Sequence, residues 1–213
     1  MTVALLLSHV CDGGVDFVLF DLGGVLIELG GVASLTELIQ TIDDEATWYE
    51  WLTSPWVRRF ERGECSALEF STGFVAEWNL EISPERFLDI FREWPIGPYP
   101  GAAELLAEVR QSAPIGCLSN TNSMHWRYQA SEWPMLDLFD FRFLSFELGQ
   151  VKPDPVIFQT VADQLPFRRE RILYLDDVAL NTDTATSLGF RSAHVQGIDE
   201  VKAALLDAGF VVS

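Results

Sequence analysis

Three polar clusters in this chain directly follow apolar runs, and a fourth sits in a loop ahead of a helix signal. The run 15–20 is apolar at Val15, Phe17, Val18, Leu19 and Phe20 and ends on Asp21, with Gly23 and Gly24 close behind. Residues 114–118 lead into Ser119-Asn120-Thr121-Asn122, and residues 171–175 lead into Asp176-Asp177. The fourth cluster is Lys152, in the segment 149–155. Carboxylates at two strand ends offer hard oxygen ligands that suit Mg²⁺, which keeps several waters and binds through one or two carboxylates together with phosphate. A hydroxyl at Ser119 beside a helix N-terminus would grip an anionic oxygen, and Lys152 would neutralise further negative charge. Taken singly, Asp21 before Gly-Gly reads equally well as a surface turn, and a lone lysine is ordinarily solvated. The case rests on convergence, and on Lys152 being one of two lysines in the chain, with Lys202.

Such convergence needs a scaffold that brings strand ends to one edge. The runs ending at Asp21, Ser119 and Asp176 read as strands buried on both faces. Residues 139–146 are a weaker strand candidate and 190–195 a final one. Helical patterns follow at 102–110, after Asn122 with Trp126 and Tyr128, at 156–164, at 179–188 closing on Gly189, and at 199–208. This alternation implies an α/β fold with a doubly wound, mostly parallel sheet, whose chemistry belongs at the carboxyl ends of its strands.

The segment 32–97 is different: its periodicity is helical and it shows no convincing strand. Residues 32–42 and 46–60 carry helical spacing. Ser66…Glu69 is a capping box opening a helix to about Trp78, and Ser83-Pro84 opens another to Trp94. Pro95, Gly97, Pro98, Pro100 and Gly101 then break the pattern. We therefore expect a core of residues 1–31 and 98–213 with an all-helical insert at 32–97, hinged at Gly30-Gly31 and at the Pro/Gly cluster. The insert holds Trp48, Trp51, Trp56, Trp78 and Trp94, five of seven tryptophans. Most should be core, with one or two on a substrate face. Arg58, Arg59 and Arg62 are taken as a solvated helix face, and His125 as helix packing or solvent-exposed.

At 213 residues the chain can hold one large domain, or a core with a smaller insert. Its formal charge of −18 makes nucleic acids and anionic membranes poor partners, and obliges any anionic substrate to find local positive charge. Cys11, Cys65 and Cys117 are far apart, which indicates neither a disulfide framework nor a zinc site; a cytoplasmic setting is expected. Residues 1–14 do not read as a signal peptide and receive no role, and no apolar run reaches membrane-spanning length.

The four clusters, in this order, resemble the motifs of the haloacid dehalogenase (HAD) superfamily: Phe20-Asp21-Leu22-Gly23-Gly24-Val25-Leu26, Cys117-Leu118-Ser119-Asn120, Lys152-Pro153-Asp154-Pro155, and Asp176-Asp177 with Asn181. The helical insert is similar to that family's C1-type cap. The resemblance covers nearly the whole chain. It implies a Rossmann-like core and Mg²⁺-dependent hydrolysis of a small phosphorylated metabolite through an aspartyl-phosphate on Asp21. It also implies Mg²⁺ held by Asp21, the Gly23 carbonyl and Asp177 or Asp176, with Asp177 favoured. Ser119 and the backbone around Asn120 would bind the phosphoryl oxygens, and Lys152 would stabilise nucleophile and phosphoryl charge.

One departure stands out. The family's phosphatases usually carry a second Asp two residues after the nucleophile, as acid to the leaving group and base to water; here that position is Gly23. The Asp-Leu-Gly-Gly and Ser-Asn-Thr-Asn patterns are similar to a subgroup that includes an α-glucose-1-phosphate phosphatase and the N-terminal domains of some epoxide hydrolases, so a sugar phosphate is one substrate class to expect. Alternatives are a metal-independent 2-haloacid dehalogenase and a non-catalytic binding protein of the same fold. The Asp176-Asp177 pair weighs against the dehalogenase, because adjacent acids near a third are costly without a cation.

Overall fold

The structure is a computed structural model that describes residues 14–30, 35–38 and 44–212. Residues 1–13, with His9 and Cys11, lie outside the described residues, as does most of the expected helix 32–42, of which residues 35–38 are described and helical.

Five parallel strands form the central sheet: β1 (Phe17–Phe20), β4 (Ile115–Ser119), β5 (Phe141–Leu144), β6 (Ile172–Asp176) and β7 (Arg191–His194). Their order is β5-β4-β1-β6-β7, so the chain moves outward from β1 first on one side and then on the other. This is the doubly wound α/β arrangement expected from the alternation, and β1 sits at its centre, registered with Ile115 to Cys117 on one side and Ile172 to Leu175 on the other. A central strand covered on both faces must be apolar throughout, and all four residues of β1 are buried. Its side chains alternate between two cores. Val18 and Phe20 join Leu105, Leu106 and Val109 of α5 (Ala102–Arg110) and Val201 and Leu205 of α10 (Gly197–Asp207). Phe17 and Leu19 join Ile157, Phe158 and Val161 of α8 (Pro155–Gln164) and Ala185 of α9 (Ala179–Ser187).

The segment between β1 and β4 builds a third, separate cluster. Helices α1 (Asp44–Thr53), α2 (Pro55–Glu61), α3 (Ala67–Glu77) and α4 (Pro84–Arg92) enclose Trp51, Phe60, Phe70, Phe74, Phe87 and Phe91. The rings of Phe60 and Phe70 stack at 4.5 Å, and those of Phe74 and Phe87 at 4.8 Å. The caps form as the sequence indicates. Ser66 Oγ accepts from Glu69 N while Glu69 Oε2 accepts from Ser66 N, and Ser83 caps α4 with Pro84 at its first position.

Two expectations fail in this segment. The single helix expected over 46–60 is broken, because Ser54 leaves the helix to cap α2 through Val57 N and Pro55 cannot donate the hydrogen bond that continuation requires. And 32–97 is not free of strand: β3 (Pro95–Pro98) pairs antiparallel with β2 (Ile27–Leu29), with a register irregularity between Glu28 and Leu29. Among the described residues, no helix is long and apolar enough to cross a membrane.

Candidate active site

The turn after β1 is fixed by its backbone. Asp21 N donates to Leu175 O at 2.8 Å, tying the end of β1 to β6. Leu26 N and Ile27 N both donate to Leu22 O, and Gly24 N donates to Ile27 O, closing a tight loop over residues 22–27. Gly24 has φ +68°, and a Cβ there would stand 2.0 Å from Asp177 Oδ2. Glycine is thus required twice, for the left-handed backbone and for the approach of Asp177.

Lys152 is the hub of the site. It is 3% exposed, and its Nζ lies 2.9 Å from Asp21 Oδ1 and 2.7 Å from Asp176 Oδ2. Burial opposes the ammonium charge, but the Asp176 and Asp21 carboxylates more than compensate and hold its pKa above the ordinary lysine value. The amide of Asn120 positions the loop: its Nδ2 donates to Lys152 O at 3.0 Å and its Oδ1 accepts from Lys152 N at 2.8 Å. The side chain of Asn120 is therefore committed to Lys152 and not free for a ligand. Ser119, at the end of β4, lines the adjoining cavity, and its hydroxyl makes no hydrogen bond to a described residue.

The two acids after β6 have separate fates. Asp176 is fully buried and saturated: Oδ2 accepts from Lys152 and from the Tyr174 hydroxyl, and Oδ1 from Val178 N at 2.8 Å and Asn181 Nδ2 at 2.9 Å. Asp177 lines the cavity, and apart from its own backbone amide no described residue holds its carboxylate. Burial, and then the Asp176 charge, raise its pKa to about 6. Burial likewise pushes Asp21 well above the usual carboxylate range against the pull of Lys152, with Asp176 and Asp177 adding to the rise.

Asp21, Asp176 and Asp177 each offer an oxygen, all within 4.8 Å of one another. Three carboxylates against the single ammonium of Lys152 leave two negative charges in excess when all are ionised. A hard divalent cation fits that donor set, with Asp177 the free ligand and Asp176 the one already occupied.

The cavity beside these residues measures about 450 Å³. Its lining includes Leu22, Gly23, Gly24, Ser119 and Asp177, and the aromatic side chains of Trp48, Trp51, Trp94 and Tyr99. Three of the insert's tryptophans thus reach it, against one or two expected. His125 reaches it too, but as a packed neutral ring: its Nε2–H donates to Phe91 O at 2.7 Å and its Nδ1 accepts from Asn122 at 3.2 Å. Burial lowers its pKa to about 4. Of the three arginines Arg59 is exposed, as expected, whereas Arg58 and Arg62 are half-buried in ion pairs. Arg58 Nη2 lies 2.8 and 2.7 Å from the two oxygens of Asp154, Arg62 Nη2 lies 2.7 Å from Asp154 Oδ2, and Arg59 covers the Trp56 ring. None of the three lines the cavity.

Sequence reasoning missed Tyr174, Asp154 and Glu61. Tyr174 carried a signal, a hydroxyl inside an otherwise aliphatic strand that must find a buried partner. Glu61, the last residue of α2, lines the cavity, and nothing in its sequence neighbourhood separates it from a surface acid.

A family model for haloacid dehalogenase-like hydrolases matches residues 15–189. D-ribitol-5-phosphate phosphatase of Bacteroides thetaiotaomicron is 25% identical over 187 residues, 82% of this chain and 89% of the relative. An (S)-2-haloacid dehalogenase of Pseudomonas fluorescens is 26% identical over 184 residues, 80% of each. The fold recurs in a HAD family enzyme of Bacteroides thetaiotaomicron crystallised with magnesium and inorganic phosphate, at TM-score 0.68 and 24% identity, covering 84% of this chain and 93% of that one. The chain belongs to the haloacid dehalogenase-like hydrolases.

Proposed function

We propose that this chain is a Mg²⁺-dependent phosphatase that hydrolyses a small phosphate monoester through an aspartyl-phosphate on Asp21. The observation that carries the reading is Lys152 clamped between Asp21 and Asp176 while Asp177 stays unpaired beside Gly24. That site has an excess negative charge that a divalent cation would neutralise, and a dianionic substrate would make the need greater. The relative acting on a polyol phosphate and the neighbour crystallised with magnesium and phosphate support the same reading.

In this mechanism Lys152 orients Asp21 and favours its ionised form, which the cation would favour further, and Asp176 keeps Lys152 in place. Ser119 Oγ donates to a phosphoryl oxygen as charge develops there. Asp21 attacks phosphorus, the ester oxygen leaves, and water then cleaves the aspartyl-phosphate. Mg²⁺, held by Asp21, the Gly23 carbonyl and Asp177, would supply charge neutralisation for nucleophile and phosphoryl group together. We further propose that residues 32–97 act as a cap over the core formed by 1–31 and 98–213. Its aromatic wall would select the substrate, and the apolar faces of a sugar or polyol phosphate fit that wall. A cytoplasmic setting accords with the free thiols of Cys65 and Cys117.

The test is phosphate release from a panel of phosphate monoesters, sugar-1-phosphates and polyol phosphates included, with Mg²⁺ and with EDTA, for wild type and Asp21→Asn. Turnover that needs both Mg²⁺ and Asp21 is expected. Turnover that persists in EDTA or in Asp21→Asn would remove the proposal.

A second reading, metal-independent dehalogenation, draws on Gly23 and on the dehalogenase relative. Halide release from 2-haloacids in EDTA would favour it. A folded protein inactive in both assays would point to a non-catalytic binding role.

A further inference from the structure

We infer that Glu61 is the acid–base catalyst of this site, protonating the leaving oxygen and then deprotonating the attacking water, in place of the carboxylate that position 23 does not provide. The inference rests on the phosphatase reading above.

Position 23 cannot supply the group, because glycine carries no side chain. A Cβ there would meet the end of the exposed Leu29 side chain, Cδ1 at 2.7 Å. The other carboxyl groups of the site are already committed. Asp21 is the nucleophile, Asp176 has four donors on its two oxygens, and Asp177 stands against Gly24 where a cation would be held. Among the described residues, Glu61 is the carboxyl group left: it lines the same cavity as Gly23, Ser119 and Asp177, and no described residue donates a hydrogen bond to it.

Its placement is built. Glu61 closes α2, and the residues around it dock that helix end onto the loop that carries Lys152. Arg58 and Arg62, on either side of it in sequence, both reach Asp154, two residues after Lys152. Gly63, with φ +69°, passes so near α7 (Ser145–Leu148) that a Cβ would stand 2.7 Å from Phe146 O. Glu61 thus enters from the helical insert, while the nucleophile comes from the sheet edge.

The protonation state suits the task. Burial raises the Glu61 pKa to about 7, against the opposing pull of Lys152 and Arg58, near the value that lets one group donate and accept a proton at neutral pH. Asp177, Tyr99 and His125 are the other titratable groups on the cavity wall among the described residues.

In the first step an Asp21 oxygen forms a bond to phosphorus and the bond from phosphorus to the ester oxygen breaks. The Glu61 carboxyl proton passes to that oxygen, and the alcohol leaves. In the second, Glu61 carboxylate takes a proton from water as the water oxygen bonds to phosphorus. The bond to Asp21 breaks, phosphate departs, and Glu61 is again protonated.

The experiment compares wild type, Glu61→Gln and Glu61→Asp, with Mg²⁺, on an alkyl phosphate and on p-nitrophenyl phosphate, whose leaving group needs no proton. Glu61→Gln should lose about 10²- to 10⁴-fold in kcat/KM on the alkyl ester, the usual span for a lost acid–base group. On the nitrophenyl ester it should give a stoichiometric burst of nitrophenolate followed by slow turnover, because the first step no longer needs the acid and the second still needs the base. Glu61→Asp should restore part of the alkyl activity. Full alkyl activity in Glu61→Gln overturns the proposal, as does an equal loss on both esters without a burst. A wild type silent on both esters would instead remove the phosphatase reading, and is told apart by being silent before any substitution.

Discussion

Asn120 grips the main chain of Lys152 from both sides, donating to its carbonyl at 3.0 Å and accepting from its amide at 2.8 Å. One side chain at the end of β4 thereby sets the place of an ammonium that bridges Asp21 and Asp176. We expect Asn120→Ala to lower kcat by about 10- to 100-fold, as loss of a supporting contact behind a reactive group typically does. It should destabilise the fold by about 1–3 kcal/mol through two unpaired buried backbone groups. Steady-state kinetics and urea unfolding measure the two effects, and unchanged kcat would contradict the positioning role.

Gly24→Ala tests the approach of Asp177. The left-handed backbone alone should cost about 1–2 kcal/mol, and the new methyl would displace the Asp177 carboxylate, which stands 2.0 Å from the Cβ position. The Mg²⁺ activation curve should shift to about 10- to 100-fold higher concentration. An unshifted curve would argue that Asp177 is not a ligand.

Arg58 and Asp154 link α2 to the Lys152 loop with both residues partly buried. A double-mutant cycle with alanine at each position should return a coupling of about 1 kcal/mol in unfolding free energy. The same variants should lower kcat, since they loosen the docking that places Glu61 while leaving the sheet edge intact. A coupling of zero would reduce this pair to an incidental contact.

His125 gives a pH dependence whose sign can be worked out. It is buried neutral, its pKa lowered to about 4 from 6.5, so between those values the unfolded chain binds the extra proton and stability falls as pH falls. Below about pH 4 both forms are protonated and the loss is complete. From pH 7.5 to 5 this residue should remove about 2 kcal/mol. Asp21, Asp177 and Glu61, with raised values, act in the opposite sense, so the effect must be read as the difference between wild type and His125→Gln. A difference independent of pH would show that the ring is not held neutral.

The sheet and its four polar clusters were legible because a parallel strand covered on both faces writes itself as an apolar run, and chemistry falls where the run stops. The split between Asp176 and Asp177 was only half legible. Sequence favours the second acid by resemblance, whereas the reason, four donors spent on the first, exists only once Tyr174, Asn181 and Lys152 are folded together. Ser54-Pro55 repeats the Ser83-Pro84 signal that was read correctly, yet the apolar spacing across it hides the break. The β2–β3 pair was illegible because Pro95, Gly97 and Pro98 are poor strand formers, and its pairing comes from residues nearly seventy positions away, beginning at Ile27. Arg58, Arg62 and Glu61 look alike from sequence, as charges on a short helix. Which of them pair and which line the cavity depends on the docking of α2 against Asp154.

The ribbon of β2 and β3 has one more consequence. The chain departs from the sheet along Ile27–Leu29 and returns along Pro95–Pro98, side by side and antiparallel, so everything between them is tethered at a single doorway. Such a segment can be lengthened, shortened or exchanged as a cassette while the register of the five parallel strands stays as it is. Evolution or an engineer could therefore retarget this molecule by rewriting one contiguous stretch around a retained Glu61 and its Arg58 and Arg62 anchors to Asp154, leaving Asp21, Ser119, Lys152 and Asp177 where they stand.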